Sequence, residues 1–150
     1  MIKKALYSDL KEILALQKLA YQSEAELYYD YTIPPLTQSL EEIRKDFENQ
    51  LFLKAVIEGK IVGSVRAYEE DGICHIGRLF VHPEYQNRGI GKKLMKRIEN
   101  HFSSSDKYSL FTGKRSKKNI YFYESQGYKR VKEEKLKGEV VLVFLEKENN

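Results

Sequence analysis

The sequence QNRGIG occupies Gln86–Gly91 and lies between two segments of different character. Before it, Ile76–Val81 has the nearly continuous apolar pattern of a buried strand. After it, Gly91–Phe102 has the apolar spacing of an amphipathic helix. A strand that leads through small residues into a helix favours anion binding, because the first helical N–H groups have no intrahelical partner and the helix dipole is positive there.

Two other kinds of glycine-containing phosphate loop do not fit these residues. A P-loop requires glycine where Gln86 stands and serine or threonine where Lys93 stands. The dinucleotide-binding fingerprint requires a third small residue where Leu94 stands. A turn with a purely structural role remains an alternative for the glycines taken alone.

The composition predicts a soluble globular protein with one domain over residues 1–150. Hydrophobic residues make up 41% and charged residues 32% of the 150 residues, and no apolar run is long enough to span a bilayer. The N-terminus lacks the apolar segment of a signal peptide. The one cysteine, Cys74, cannot form an internal disulfide, which is typical of a reducing compartment. We therefore expect a cytoplasmic protein.

The charge is distributed unevenly along the chain. Residues 1–75 carry 9 Lys and Arg against 13 Asp and Glu, whereas residues 76–150 carry 17 against 9. A basic half suits either a polyanionic small molecule or nucleic acid. The basic residues lack interleaved aromatic residues, and no helix-turn-helix or zinc motif is present, so a nucleic-acid partner is the weaker alternative. The three histidines and Cys74 form no metal-ligand pattern, so we expect no metal.

The patterns predict the element order β-α-α-β-β-β-α-β-α-β-β. Three middle strands should form an antiparallel meander, and the strand–helix–strand unit after it should place two strands in parallel. The segment Glu24–Thr37 is predicted to be irregular, because Pro34 and Pro35 interrupt any continuous helix. The predicted strands are Ile2–Leu6, Leu51–Glu58, Ile61–Glu69, Ile73–Val81, Tyr108–Thr112, Tyr128–Lys135 and Val140–Glu146. The predicted helices are Ser8–Glu24, Ser39–Asn49, Gly91–Phe102 and Ser116–Gln126.

Two motifs together resemble the GNAT superfamily of N-acetyltransferases. The family's acetyl-CoA loop has the pattern Q/R-x-x-G-x-G/A, which Gln86, Gly89 and Gly91 match. The second motif, NIYFYESQGY at Asn119–Tyr128, is similar to the family's A-x-x-L-Y-E-x-x-G-F segment. The predicted element order is also similar to the family fold along almost the whole chain. The resemblance implies an α/β (α+β) fold with a mixed sheet of about seven strands, flanking helices and a splayed acetyl-CoA cleft.

The resemblance implies acetyl-CoA as co-substrate and direct attack of an amine on its thioester. The pyrophosphate would lie on backbone N–H groups of the loop, and the pantetheine arm would run beside the preceding strand. The implied cofactor-binding residues are Leu79, Phe80, Val81, Gln86, Asn87, Arg88, Gly89, Ile90, Gly91, Lys92, Asn119 and Tyr123.

Three residues are candidates for catalysis. By its family position, Tyr123 would donate a proton or hydrogen bond to the departing thiolate. The Val81 N–H would stabilise the oxyanion that forms at the thioester carbonyl. His75 is a candidate base because it titrates near neutral pH, although a lone strand histidine is more often structural and a water chain is an equal alternative.

The acceptor is expected to be a primary amine on a small molecule or peptide. In the family, the segment between the first two helices borders the acceptor site, and here it mixes carboxylates with tyrosines, which hold cations by charge and by cation–π contact. An alternative is that these tyrosines pack over the core. The candidate substrate-binding residues are Glu26, Tyr28, Tyr29, Asp30 and Tyr31. A CoA-binding sensor without turnover remains an alternative function, and the protein is expected to be a monomer or homodimer.

Overall fold

Seven strands form one mixed sheet in the computed structural model, which describes residues 1–150. Their order across the sheet is β1-β2-β3-β4-β5-β7-β6, so the predicted mixed sheet of about seven strands is confirmed. In chain order the strands are β1 (Ile2–Lys4), β2 (Leu51–Ile57), β3 (Lys60–Glu70), β4 (Ile73–Val81), β5 (Lys107–Gly113), β6 (Lys129–Lys137) and β7 (Val140–Glu148).

The pairing of the strands follows the predicted topology. Strands β2, β3 and β4 form the antiparallel meander, and β4 pairs in parallel with β5. The terminal hairpin of β6 and β7 enters with β7 next to β5, which leaves β6 at the edge of the sheet. Every residue of β6 is exposed, whereas all residues of β7 except Glu148 are buried or half-buried.

Six helices flank the sheet, and four of them precede β2 rather than the predicted two. The helix predicted to run to Glu24 ends earlier, at Ala20, and a second helix follows after a turn at Tyr21. The segment predicted to be irregular also contains a short helix, which Pro34 and Pro35 begin. Proline is tolerated in the first turn because the N–H it lacks would have no helical partner. The helices are α1 (Leu10–Ala20), α2 (Gln22–Tyr28), α3 (Pro34–Thr37), α4 (Leu40–Asn49), α5 (Ile90–His101) and α6 (Lys117–Ser125).

A local capping contact explains where α4 begins. Before α4, the Glu42 N–H donates to the Ser39 hydroxyl at 3.1 Å and the Ser39 N–H donates to the Glu42 carboxylate at 2.8 Å, which together form a capping box. Asp9, by contrast, does not cap α1 with its side chain. Its carboxylate accepts from the Leu6 N–H at 2.7 Å and pairs with Lys54 at 2.6 Å.

Two main apolar clusters hold the sheet between its helices. The larger has 17 buried residues and joins α5 and α6 to strands from both halves of the sheet. The smaller has 9 buried residues and joins α1 and α4 to β2, β3 and β4. Cys74 lies in the larger cluster, and burial raises the pKa of its thiol to about 12. None of the helices combines the length and apolar character that crossing a bilayer requires.

Candidate active site

The sheet opens between its two central strands. Strand β4 pairs with β5 only over Ile73–His75, so the rest of its β5-facing edge has no strand partner. A bulge accompanies the opening: Ser64 lies opposite Phe80 whereas Arg66 lies opposite Gly77, which leaves an extra residue in β4. Arg78, inside this bulge, adopts a left-handed backbone with φ of +49°. The splayed cleft that the sequence predicted is therefore present.

A cavity of about 210 Å³ occupies the opening. Its floor comes from the unpaired part of β4 and from β5, and its walls come from α2, α3, α6 and the terminal hairpin. The residues that line it are Tyr21, Glu24, Tyr28, Ile33, Pro34, Pro35, Ile76, Gly77, Arg78, Leu79, Leu110, Phe111, Thr112, Gly113, Asn119, Tyr123, Leu136, Val140 and Leu142. Most of this lining is apolar, and the charged residues within it are Glu24 and Arg78.

The QNRGIG loop presents unsatisfied backbone donors at the N-terminus of α5. The N–H groups from Arg88 to Lys92 have no backbone hydrogen bond, and the first one made within this turn is Lys93 N–H to Gly89 C=O. Gly89 has φ of +78°, and a Cβ placed there would meet nothing within 4 Å. An anion can therefore approach these donors closely.

Side chains of the loop hold it against the end of β4. The Gln86 amide donates to the Val81 carbonyl at 3.2 Å. Arg88 donates to the Glu84 carbonyl at 3.4 Å, and its guanidinium lies 5.0 Å from the centre of the Tyr85 ring. Both side chains therefore stabilise the loop conformation in addition to any contact with a ligand.

The Val81 N–H faces the open side of β4. The next residue along the strand, His82, donates its N–H to the Val62 carbonyl of β3 at 2.7 Å. Successive N–H groups along a strand point to opposite sides, so the Val81 N–H points away from β3. It is a free donor at the edge where β5 has diverged.

Tyr123 brings an unpaired phenol to the same cleft. Its side chain is 8% exposed, lines the cavity and makes no hydrogen bond within the protein. Burial raises the pKa of Tyr123 well above its ordinary value, and the neighbouring Tyr21 and Glu24 raise it further. The hydroxyl is therefore held in its protonated form.

One turn before Tyr123, Asn119 also faces the cleft. Its side-chain amide donates to the Thr112 hydroxyl of β5 at 3.3 Å. Tyr121, by contrast, is 74% exposed on another face of the helix. The spacing of four residues therefore brings Asn119 and Tyr123 to one side of α6, as the sequence indicated.

Glu24 is a charged cleft residue that the candidate substrate-binding set omitted. Its carboxylate accepts a hydrogen bond from the Ser116 hydroxyl at 2.9 Å and has no Lys or Arg partner. Burial raises the pKa of Glu24, and the hydrogen bond from Ser116 opposes part of that rise. Tyr21, Glu24 and Tyr28 share one helical face, a spacing that was hidden because the predicted helix ended at Glu24 and the segment after it was predicted to be irregular.

Of the five predicted acceptor residues, the structure brings only Tyr28 into the cleft. Its hydroxyl accepts from the Arg115 N–H at 2.8 Å, and its ring packs on Gly113. Glu26 is exposed, Tyr29 is 90% exposed at the left-handed end of α2, and Tyr31 is 54% exposed. Asp30 is engaged in a turn, where it accepts from the N–H and the hydroxyl of Thr32.

His75 does not line the cleft. It stacks on Tyr68, with ring centres 5.0 Å apart, and lines a second cavity of about 420 Å³ on the same strand. This second cavity shares Ile76, Gly77 and Arg78 with the cleft. No three His, Cys, Asp or Glu side chains are grouped so that they could hold a metal ion.

Comparisons with known proteins agree with this geometry. A sequence model described as "Acetyltransferase (GNAT) domain" matches residues 16–149. The UPF0157 protein YqkA of Bacillus subtilis is 28% identical over 120 residues, which is 80% of this chain and 34% of that protein. N-acetylaspartate synthetase of Xenopus tropicalis is 36% identical over 89 residues, which is 53% of this chain and 31% of that protein. The chain thus spans about a third of the length of these relatives.

The fold is also found in solved structures. PaiA N-acetyltransferase from Thermoplasma acidophilum, crystallised in complex with coenzyme A, superposes with a TM-score of 0.83 at 18% sequence identity, over 99% of this chain and 98% of that one. The family match over most of the chain, the splayed strands and the loop with free N–H groups agree with one another. The chain belongs to the GNAT family of acetyltransferases.

Proposed function

We propose that this protein is an acetyl-CoA-dependent N-acetyltransferase that transfers an acetyl group directly to a primary amine of a small molecule or peptide. The observation that carries the proposal is the open edge of β4, which connects the free N–H groups of the Gln86–Gly91 loop to the unpaired hydroxyl of Tyr123. Two similar proteins, PaiA N-acetyltransferase and N-acetylaspartate synthetase, are named for N-acetylation, which supports nitrogen as the acceptor atom.

The residues around the loop fit coenzyme A. The N–H groups from Arg88 to Lys92 would hold its pyrophosphate, and the open backbone of Leu79–Val81 would hold the pantetheine arm. Asn119 would donate to the same arm from α6. Bound acetyl-CoA supplies the acetyl group as an activated thioester.

Two donors of the chain act where charge develops during transfer. The Val81 N–H would stabilise negative charge on the thioester oxygen, and it is fixed before reaction because it belongs to a strand. The Tyr123 hydroxyl would donate a hydrogen bond or its proton to the departing sulfur. Burial raises the pKa of Tyr123, so the hydroxyl is protonated and able to donate, although it is a weaker acid than an ordinary phenol.

Glu24 would hold the amine and accept its proton. It is the one carboxylate in the cleft lining, and no cation of the protein neutralises it. A carboxyl group with a raised pKa is a stronger base than an ordinary one, which suits removal of a proton from an ammonium group. The role of His75 as a base stays a prediction, although its side chain faces the second cavity and not the cleft.

We also propose the domain organisation, the location in the cell and the oligomeric state. Residues 1–150 would form one catalytic domain, located in the cytoplasm and acting as a monomer or homodimer. The unpaired and fully buried Cys74 supports a reducing compartment.

The test combines cofactor binding with turnover. Calorimetry should show that acetyl-CoA binds the purified protein, and thiol release should then exceed the background for at least one class in a panel of primary amines. Absence of binding would contradict the proposal. Binding without thiol release for any amine would indicate the sensor without turnover instead.

A further inference from the structure

Arg78 places a positive charge in the floor of the cleft without a carboxylate partner. Its closest polar contact is a long hydrogen bond of 3.5 Å from the guanidinium to the Gln38 side-chain oxygen. No Asp or Glu lies within ion-pair distance of it, although the side chain is half-buried. A guanidinium has five N–H donors arranged to bind an oxyanion with two hydrogen bonds. Most of these donors are free.

The neighbouring charges do not neutralise Arg78. Arg66 of β3 is 3% exposed and lies opposite Gly77 of β4. It forms an ion pair with Asp46 at 3.4 Å. Arg66 also donates to the buried Gln17. Burial, together with the charge of Arg78, lowers the pKa of Arg66 to about 10. Asp46 therefore pairs with Arg66 and not with Arg78, and Glu42, whose pKa the charge of Arg78 helps to lower, forms no ion pair with it.

The carboxylate of Glu24 lies on another wall of the same cleft. Glu24 on α2 has no cation partner, and Arg78 and Glu24 both affect the pKa of Tyr21, in opposite directions. The cleft thus presents one carboxylate and one guanidinium, neither of them in an ion pair, within a mostly apolar lining.

The space beside Arg78 is open. Gly77 lines both cavities, and a Cβ placed on it would meet nothing within 4 Å. A group bound by Arg78 therefore has room where the cleft joins the second cavity.

We propose that Arg78 selects an acceptor that carries a carboxylate as well as its amine, as a free amino acid does. The ammonium group would face Glu24 and the carboxylate would face Arg78. This inference rests on the proposed acetyltransferase activity and adds the substrate class: amino acids rather than plain amines or polyamines.

The test compares matched acceptors. Leucine and phenylalanine are each compared with their carboxamides and their decarboxylated amines, and β-alanine and γ-aminobutyrate with their amides. The wild-type protein should give a kcat/KM at least 10-fold higher for one or more of the acids than for its counterparts without a carboxylate. O-phosphoethanolamine against ethanolamine tests phosphate, and a larger preference there than for any carboxylate would overturn the proposal.

Two variants remove the guanidinium with opposite effects on the backbone. Arg78→Met keeps a long side chain in the left-handed conformation, whereas Arg78→Gly relieves the strain. Both should abolish the preference for the acid by raising KM for the acid. Arg97→Met, on the exposed face of α5, should retain the preference.

The outcomes separate the two hypotheses. The role of Arg78 is contradicted if the amines without a carboxylate react with the same kcat/KM as the acids. It is also contradicted if both Arg78 variants keep the preference for the acids. In both cases the acetyltransferase assignment stands. The proposed function itself fails if the folded protein does not bind acetyl-CoA, or if none of the amines tested causes thiol release.

Discussion

At the level of single residues, Tyr123 combines a buried ring with a hydroxyl that has no protein partner. A tyrosine that served only to pack the core would either hydrogen-bond its hydroxyl within the protein or expose it to bulk water. The Tyr123 hydroxyl instead opens into the cleft, beside Glu24 and Tyr21. This placement supports a role in proton transfer.

Replacement of Tyr123 by phenylalanine should therefore reduce turnover and leave binding intact. We expect kcat to fall about 100-fold, because general-acid catalysis contributes roughly that factor or more, with the affinity for acetyl-CoA changing little. Steady-state thiol release and calorimetry measure the two quantities. Tyr121→Phe, on the exposed face of the same helix, is the matched control. An unchanged kcat in Tyr123→Phe would remove the hydroxyl from the mechanism.

Removing the charge of Glu24 should lower the activity and raise the stability of the protein. Glu24→Gln keeps the acceptor for Ser116 but removes the charge, so kcat/KM for amines should fall at least 10-fold. The same change should raise the melting temperature at pH 7, because burial makes the ionised carboxylate costly. Glu26→Gln, exposed on the same helix, should change neither quantity.

The pH dependence of this effect has a definite sign. The folded state holds the Glu24 proton more tightly than the unfolded state, since its folded pKa is raised. The wild-type protein therefore loses stability relative to Glu24→Gln as the pH rises from the ordinary glutamate pKa through the raised one. The difference in melting temperature should be small near pH 4 and larger at pH 7. A difference that stays constant over this range would contradict the assignment.

At the level of elements, the loop before α5 depends on a backbone that few residues adopt. Gly89 needs a left-handed φ, and a valine there would strain this backbone and place a branched side chain beside the free N–H groups. We expect Gly89→Val to weaken acetyl-CoA binding at least 10-fold by calorimetry.

The chain offers a closely matched control for this change. Gly59, in the turn between β2 and β3, has φ of +77° and equally open surroundings, against +78° for Gly89. Gly59→Val therefore carries the same backbone penalty away from the cleft. Similar losses of affinity in both variants would mean that general destabilisation, and not the loop, weakens binding.

The strands and the loop could be predicted from local patterns, whereas the acceptor side could not. Alternating or continuous apolar residues and Asp-Gly or Glu-Gly turns are local signals, so the meander and the unit of β4, α5 and β5 were predicted correctly. The helix α2 was missed because Pro34 and Pro35 made the whole segment look irregular. Its helical spacing is what brings Glu24 and Tyr28 into the cleft.

Arg78 was out of reach of sequence reasoning for a different reason. Its place in a strand pattern gives no sign of a bulge, and the bulge arises from the pairing of β4 with β3. The left-handed conformation then brings a guanidinium to the cleft and to Gln38, which is 40 residues away in the chain. Such a contact depends on tertiary structure alone.

At the level of the whole molecule, the cleft divides the sheet that it uses. Strands β1–β4 and β5–β7 are joined by only three residue pairs between β4 and β5. The larger apolar cluster connects the two parts, because helix α5 contributes Leu94, Met95 and Ile98 to a core shared by Val65 of β3 and Leu145 of β7. The cluster can hold the two parts together while the cleft stays open above it.

This arrangement predicts that the two parts of the sheet unfold together. Ile98 is fully buried in the shared cluster, so Ile98→Ala should lower the free energy of unfolding by about 2–5 kcal/mol. Urea unfolding followed by circular dichroism and by tyrosine fluorescence should give one coincident transition, shifted to lower urea in the variant. Lys96→Ala, on the exposed face of α5, should shift the midpoint little. Two separate transitions would show that the parts fold independently and that the cluster does not couple them across the cleft.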